Sequence, residues 1–313
     1  MNKLLLIISI MFFGFTGKDF ISLDEIRKMQ PESETFELIS KLSSDELQGR
    51  KPGTNEYEIT LKYVESFLNE NDIKTYFEGT YRDTVTVRGR TSSNIVAFIG
   101  KKDPSKKHII IGAHLDHLGK SFNSRDNIYN GANDNASGVA AVLQTAKVLN
   151  QLQFDQNIII VLFTEEESGL LGSKRLAKRF KKEKINLAYM LNFEMIGKTL
   201  TSGSNQVYLT GYSKSNCASK MNEMIDFEFV KFLPAEVTYN LFRRSDNYSF
   251  YKKFKVPCHS ISTFDFRNYG HYHKESDVVE LLDIKNTNDV INTTTYIVSK
   301  LLIQDEELRM NPT

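Results

Sequence analysis

The chain predicts an α/β fold: a mixed, largely parallel β-sheet with helices on both faces. Three observations carry that expectation. Asn157–Phe163 and Leu187–Phe193 are near-continuous apolar runs, as in strands buried on both sides. Segments with apolar residues at helical spacing alternate with such runs. No internal repeat, low-complexity tract or Pro/Gly-rich linker divides the chain, so residues 18–313 are expected to form one domain.

Thr35–Leu42 and Tyr57–Asn69 are expected as helices, joined by Leu47–Gly53, a loop dense in turn residues. Ile95–Ile99 and His108–Ala113 are short apolar strands separated by a Lys/Asp/Pro turn. Ser137–Leu149 places Val139, Val142, Leu143, Ala146 and Leu149 on one helical face. The strand Asn157–Phe163 leads into a helix over about residues 170–181, and Leu187–Phe193 is the next strand. A helix over Ser245–Phe254 then feeds the strand Val256–Ser262, and Ile284–Ile303 is the last long helix.

Residues 1–17 carry a Lys, an uncharged stretch from Leu4 to Phe15, and small residues. That is the order of a secretory signal peptide, and the stretch falls short of the roughly 20 residues a spanning helix needs. Export to the periplasm or the exterior is expected, with no stable membrane partner. The net charge is +1 with both signs interspersed, which argues against a nucleic-acid partner. The cluster Lys174–Lys184 is expected to form the solvated face of its helix. Cys217 and Cys258 are too few for a disulfide framework, and two buried free thiols are favoured over one bridge. Composition says nothing about oligomeric state.

The chemistry gathers at strand ends, where open parallel sheets build their sites. His114 ends one strand, Glu166 and Glu167 follow another, and Glu194 ends a third. Asp116 stands two residues beyond His114, where its carboxylate is expected to accept the second imidazole N–H. Asp134 opens a helix; alone it reads as a helix cap, but Gly131 and Ser137-Gly138 shape a loop that suits a ligand. Adjacent glutamates can be plain acidic residues at a helix start. Beside a metal they can divide two tasks, ligand and proton acceptor. Glu194 lies in an otherwise apolar strand end, where a buried carboxylate must be paired or coordinated. His273 is the favoured last imidazole, with His271 and His117 as alternatives.

His114, Asp134, Glu167, Glu194 and His273 exceed the three or four ligands of one catalytic zinc. Three carboxylates and a hydroxide balance two divalent ions, so two zinc ions per chain are expected, sharing a carboxylate.

With those residues in place, the chain resembles the co-catalytic zinc aminopeptidases of the leucyl/aminoacyl type, a family related to glutamate carboxypeptidases and glutaminyl cyclases. The segments that carry the resemblance run in order: Ala113–Asp116, Asn133–Gly138, Glu166–Ser173, Ser245–Phe250 and Tyr272-His273. It implies a zinc exopeptidase-like fold in which Asp134 bridges the ions. His114 and Glu194 would complete one site; Glu167 and His273 would complete the other. Glu166 would be the general base, Asp116 the partner of His114, Tyr272 an aid to the oxyanion, and Glu165 a bystander. Glu194 departs from the aspartate usual in the family.

The resemblance implies a metallo-exopeptidase acting on peptides, most simply an aminopeptidase; a carboxypeptidase or dipeptidase shares the chemistry. A glutaminyl cyclase-like acyltransferase with one zinc, and a catalytically dead binding module, are the competing classes. Retention of His114, of a carboxylate at position 194 and of the base favours hydrolysis. Arg50, Arg243 and Arg244 are candidates for a substrate carboxylate.

Overall fold

Alternation within the apolar strands decides the layering. The computed structural model describes residues 21–121 and 127–312, so the signal expected at residues 1–17 lies outside them. Nine strands of the described residues form one sheet: β1 (Lys74–Thr75), β2 (Arg82–Val87), β3 (Arg90–Ile99), β4 (His108–His114), β5 (Asn157–Phe163), β6 (Leu187–Phe193), β7 (Val207–Leu209), β8 (Val230–Lys231) and β9 (Cys258–Ser262). Their order is β1-β3-β5-β4-β6-β9-β7-β8, with β2 also paired to β3. The central run β5-β4-β6-β9 is parallel. Antiparallel pairs flank it, β3 on β5 and β7 on β9, which makes the sheet mixed as expected. Although β3 and β4 are consecutive, β5 inserts between them.

On one face, Ile158, Ile160 and Leu162 pack with α2 (Glu32–Leu42), α3 (Asn55–Glu70), α4 (Gly138–Leu149) and α9 (Ile284–Ile303). On the other, Ile159, Val161 and Phe163 pack with α5 (Leu171–Lys182) and α8 (Asn247–Phe254). Every residue of β4 and β5 is buried. Each buried Leu or Ile contributes roughly 1.5–3 kcal/mol through water release, so the two-sided core is the main source of stability.

β5, β6 and α9 fall where expected. α8 starts two residues later than expected, at Asn247, and β9 starts at Cys258. The β2/β3 hairpin was not foreseen, because β2 at the sheet margin carries only Val85 and Val87 as apolar residues, too few for a periodic signal. The short elements β7, β8, α6 (Cys217–Glu223) and α7 (Pro234–Thr238) carry too few residues for a periodic signal. Cys217 and Cys258 are free and buried. Among the described residues no helix is long and apolar enough to cross a membrane.

Candidate metal centre

β4, β5 and β6 run parallel, so their carboxyl ends share one edge of the sheet. His114 is the last residue of β4, Glu165–Glu167 follow β5 after Thr164, and Glu194 follows β6. The turn 132–137 before α4 brings Asp134 to the same edge.

Asp134 joins two groups of donors. Its Oδ1 lies 3.2 Å from His114 Nε2, which is also 3.2 Å from Glu194 Oε1. Its Oδ2 lies 3.1 Å from His273 Nε2, which is 3.4 Å from Glu167 Oε2. A tetrahedral zinc with bonds near 2.0–2.1 Å separates its ligands by about 3.3 Å, so these spacings and the imidazole/carboxylate chemistry fit zinc. Asp134 caps nothing: α4 begins at Gly138, with Ser137 at its cap position. The triple glutamate is no helix start either, since α5 begins at Leu171.

Contrary to expectation, His114 does not meet the Asp116 carboxylate. Its Nδ1 lies 3.0 Å from the main-chain carbonyl of Asp116, not from the carboxylate. The Asp116 side chain instead accepts the main-chain N–H groups of Glu166 (3.1 Å) and Glu167 (3.3 Å), clamping the loop that presents both. Burial raises the Asp116 pKa to about 8, with His114 opposing and Glu167 adding to the rise. Glu165 stands apart from these donors, as expected of a bystander to the chemistry; it is fully buried and paired with Arg90 at 3.1 Å.

Glu166 lines the cleft above these donors. Desolvation, opposed by His114 and reinforced by Asp246, Glu194 and Glu167, raises its carboxyl well above the ordinary range. Asp246 is fully buried, and burial lifts it to about 7 against the pull of His114, with Glu194 pushing it further. Tyr272 is 44% exposed and lines the cleft, its ring stacked on His273 with centroids 3.9 Å apart.

Several positioning residues had no assigned role in the sequence. Ser245 Oγ donates to Glu194 Oε2 at 2.6 Å, holding the oxygen that does not face His114. Of the alternative imidazoles, His117 Nδ1 lies 2.9 Å from Glu167 Oε1 and 3.8 Å from Asp134 Oδ2. His271 turns away to Ser276. Asp277 accepts the N–H groups of Asn133 and Asp134 at 2.8 and 3.0 Å. Asn135 Oδ1 accepts Met195 N–H, and Asn133 Oδ1 accepts Gly197 N–H, tying the Asp134 turn to the Glu194 loop. Ser245 stood inside a segment already singled out and Asp277 four residues beyond His273, so hydroxyl and carboxylate content there was the available signal.

Arg50 is not a substrate group. It is wholly buried and donates to the carbonyls of Leu42, Leu115, Asn130, Gly131 and Asp134. Of the three arginines considered, Arg244 alone lines the cleft. The cleft encloses about 660 Å³ including its open mouth, with Leu241, Phe264 and Phe266 beside Tyr272 as apolar wall.

The sequence pattern of peptidase family M28 matches residues 94–298. A probable zinc metalloprotease of Pyrenophora tritici-repentis is 34% identical over 108 residues, 34% of this chain and 25% of that protein. A probable leucine aminopeptidase of Trichophyton verrucosum is 29% identical over 214 residues, 62% of this chain and 52% of that one. The chain thus spans from a quarter to about half of these relatives. The fold is shared with the LapA aminopeptidase of Legionella pneumophila, with TM-score 0.71 at 19% identity over 92% of this chain and 78% of that one. It is also shared with the glutaminyl cyclase of Porphyromonas gingivalis, with TM-score 0.66 at 18% identity over 87% and 99%.

Proposed function

The chain belongs to peptidase family M28, and from that premise we propose that it is a two-zinc aminopeptidase. The observation that carries this reading is Asp134, which turns one oxygen to His114 and the other to His273. His114, Glu194 and Asp134 would hold one ion; Asp134, Glu167 and His273 would hold the second. Bound zinc would supply Lewis acidity, to polarise a scissile carbonyl and to lower the pKa of water towards neutral. Glu166 accepts the proton of the attacking water and returns it to the leaving amine. Tyr272, held protonated by partial burial and by the carboxylates of Asp134, Glu167, Glu194 and Glu166 beside it, donates to the developing oxyanion. The Leu4–Phe15 stretch supports export to the periplasm or exterior.

Protein purified without chelator is expected to contain two zinc ions per chain by elemental analysis. A reproducible value of one, unchanged in activity by added zinc, would favour the cyclase-like acyltransferase.

The cleft is acidic at its base and apolar along its wall, which suits a free α-ammonium and a hydrophobic first side chain. Leucyl-p-nitroanilide and leucine-headed peptides should therefore be cleaved from the N-terminus. Acetylation should abolish cleavage, because it removes the positive charge that the carboxylates meet. Equal cleavage of free and acetylated peptides, or release of the C-terminal residue alone, would overturn the aminopeptidase reading.

A further inference from the structure

Positive charge is concentrated on one face. Residues 171–184, covering α5, carry seven Lys or Arg against Glu183 alone, and residues 247–255, covering α8, add three Lys and no acid. The two helices pack together over the same side of the sheet: Ser173 Oγ donates to Ser249 Oγ at 2.9 Å, and the Phe180 and Phe250 rings lie 6.3 Å apart. Together they hold a net +9 in a chain of net +1, so the rest of the chain is net −8. Glu183 is already paired with Arg179. Lys178, Lys182 and Lys253 are exposed, with no acid in ion-pair reach among the described residues.

From this asymmetry we infer that the α5/α8 face docks onto an anionic lipid surface. Charge complementarity between the basic face and the anionic headgroups supplies the attraction. Single-stranded nucleic acid fits less well, because it requires open aromatic faces on which bases stack. Here Lys252 lies 5.7 Å over Tyr248, Lys255 lies 5.1 Å over Tyr251, and Lys181 lies 5.1 Å over Phe254, so the rings are covered by the chain's own cations. No residue lining the catalytic cleft belongs to either helix, so docking leaves its mouth open.

The test compares the full chain on phosphatidylcholine vesicles with the same chain on equal mixtures of phosphatidylcholine and phosphatidylglycerol. Binding to the neutral vesicles measures the contribution of the apolar Leu4–Phe15 stretch. The expected result is stronger binding to the anionic vesicles, declining as salt screens the charge. Each basic residue near an anionic leaflet strengthens partitioning about fivefold, so Lys178→Glu, Lys182→Glu and Lys253→Glu combined, which remove three cations and add three anions, should weaken anionic binding by at least about 100-fold. Turnover of a soluble p-nitroanilide should be unchanged, which also reports correct folding. A control carrying Lys28→Glu, on the helix α1 (Leu23–Met29) that packs against Val148 of α4, Lys62→Glu on α3 and Lys285→Glu on α9, all on the opposite face, has the same net charge and should keep most of the binding. Equal binding to both vesicle types, equal losses in the two variants, or retention on an oligonucleotide or acidic polysaccharide but not on vesicles would overturn the inference.

Discussion

Glu166→Gln is expected to lower kcat by about 10²- to 10⁴-fold, the range for loss of a positioned general base, while leaving zinc content nearly intact. The amide keeps the shape of the side chain but cannot accept the water's proton. Glu167→Gln should behave differently. Its Oε2 faces His273 and its Oε1 is held by His117, so weakening that donor should release zinc and lose activity secondarily. The comparison is needed because Glu166 also offers an oxygen close to the donors of His114 and Glu167. Zinc content and single-turnover rates of both variants provide the check. Metal loss in Glu166→Gln with retention in Glu167→Gln would mean that the two roles are exchanged.

Arg50→Met is expected to destabilise the chain by roughly 3–5 kcal/mol, the cost of breaking a buried, hydrogen-bonded charge. The guanidinium serves five main-chain carbonyls, four of them within 3.0 Å. Burial lowers its pKa, and the charges of Asp134, Asp277 and Asp116 work against that fall. Methionine fills the volume but donates nothing, leaving buried acceptors unpaired at about 1–3 kcal/mol for each one that water cannot reach. At about 2–4 °C per kcal/mol for a large domain, the melting temperature should fall by about 10 °C. Lysine keeps the charge but cannot span all the acceptors, so Arg50→Lys should recover only part of the loss. Because Arg50 ties Leu115, next to His114, to the Asp134 turn, zinc affinity should fall as well. A melting temperature within about 2 °C of the parent would refute this account.

The distinction between these residues tracks what was legible beforehand. Glu166, Glu167, His114 and Glu194 were readable because strand ends announce themselves: an apolar run stops and polar residues begin at a shared edge. Asp134 and His273 were readable through motif order, and the structure brings both to that edge. The roles of Asp116, Glu165 and Arg50 were not, because a residue type in a loop does not say whether its carbonyl or its side chain will meet a neighbour. Arg50 shows the point most clearly. Its five acceptors come from segments up to 84 positions away, so no local window contains the reason for its presence.

By itself the sequence determined the layering of the sheet and the element types of its longer segments, and it named candidate metal ligands. Those follow from short-range periodicity and from the chemistry of individual side chains. Only the tertiary structure decided that β5 inserts between β3 and β4, that Asp134 divides its oxygens between two imidazoles, and that the Asp116 carbonyl rather than its carboxylate meets His114. The reason is physical: strand order and hydrogen-bond partners are chosen by long-range packing and by the need to satisfy every buried polar group, and neither is written in the spacing of neighbouring residues.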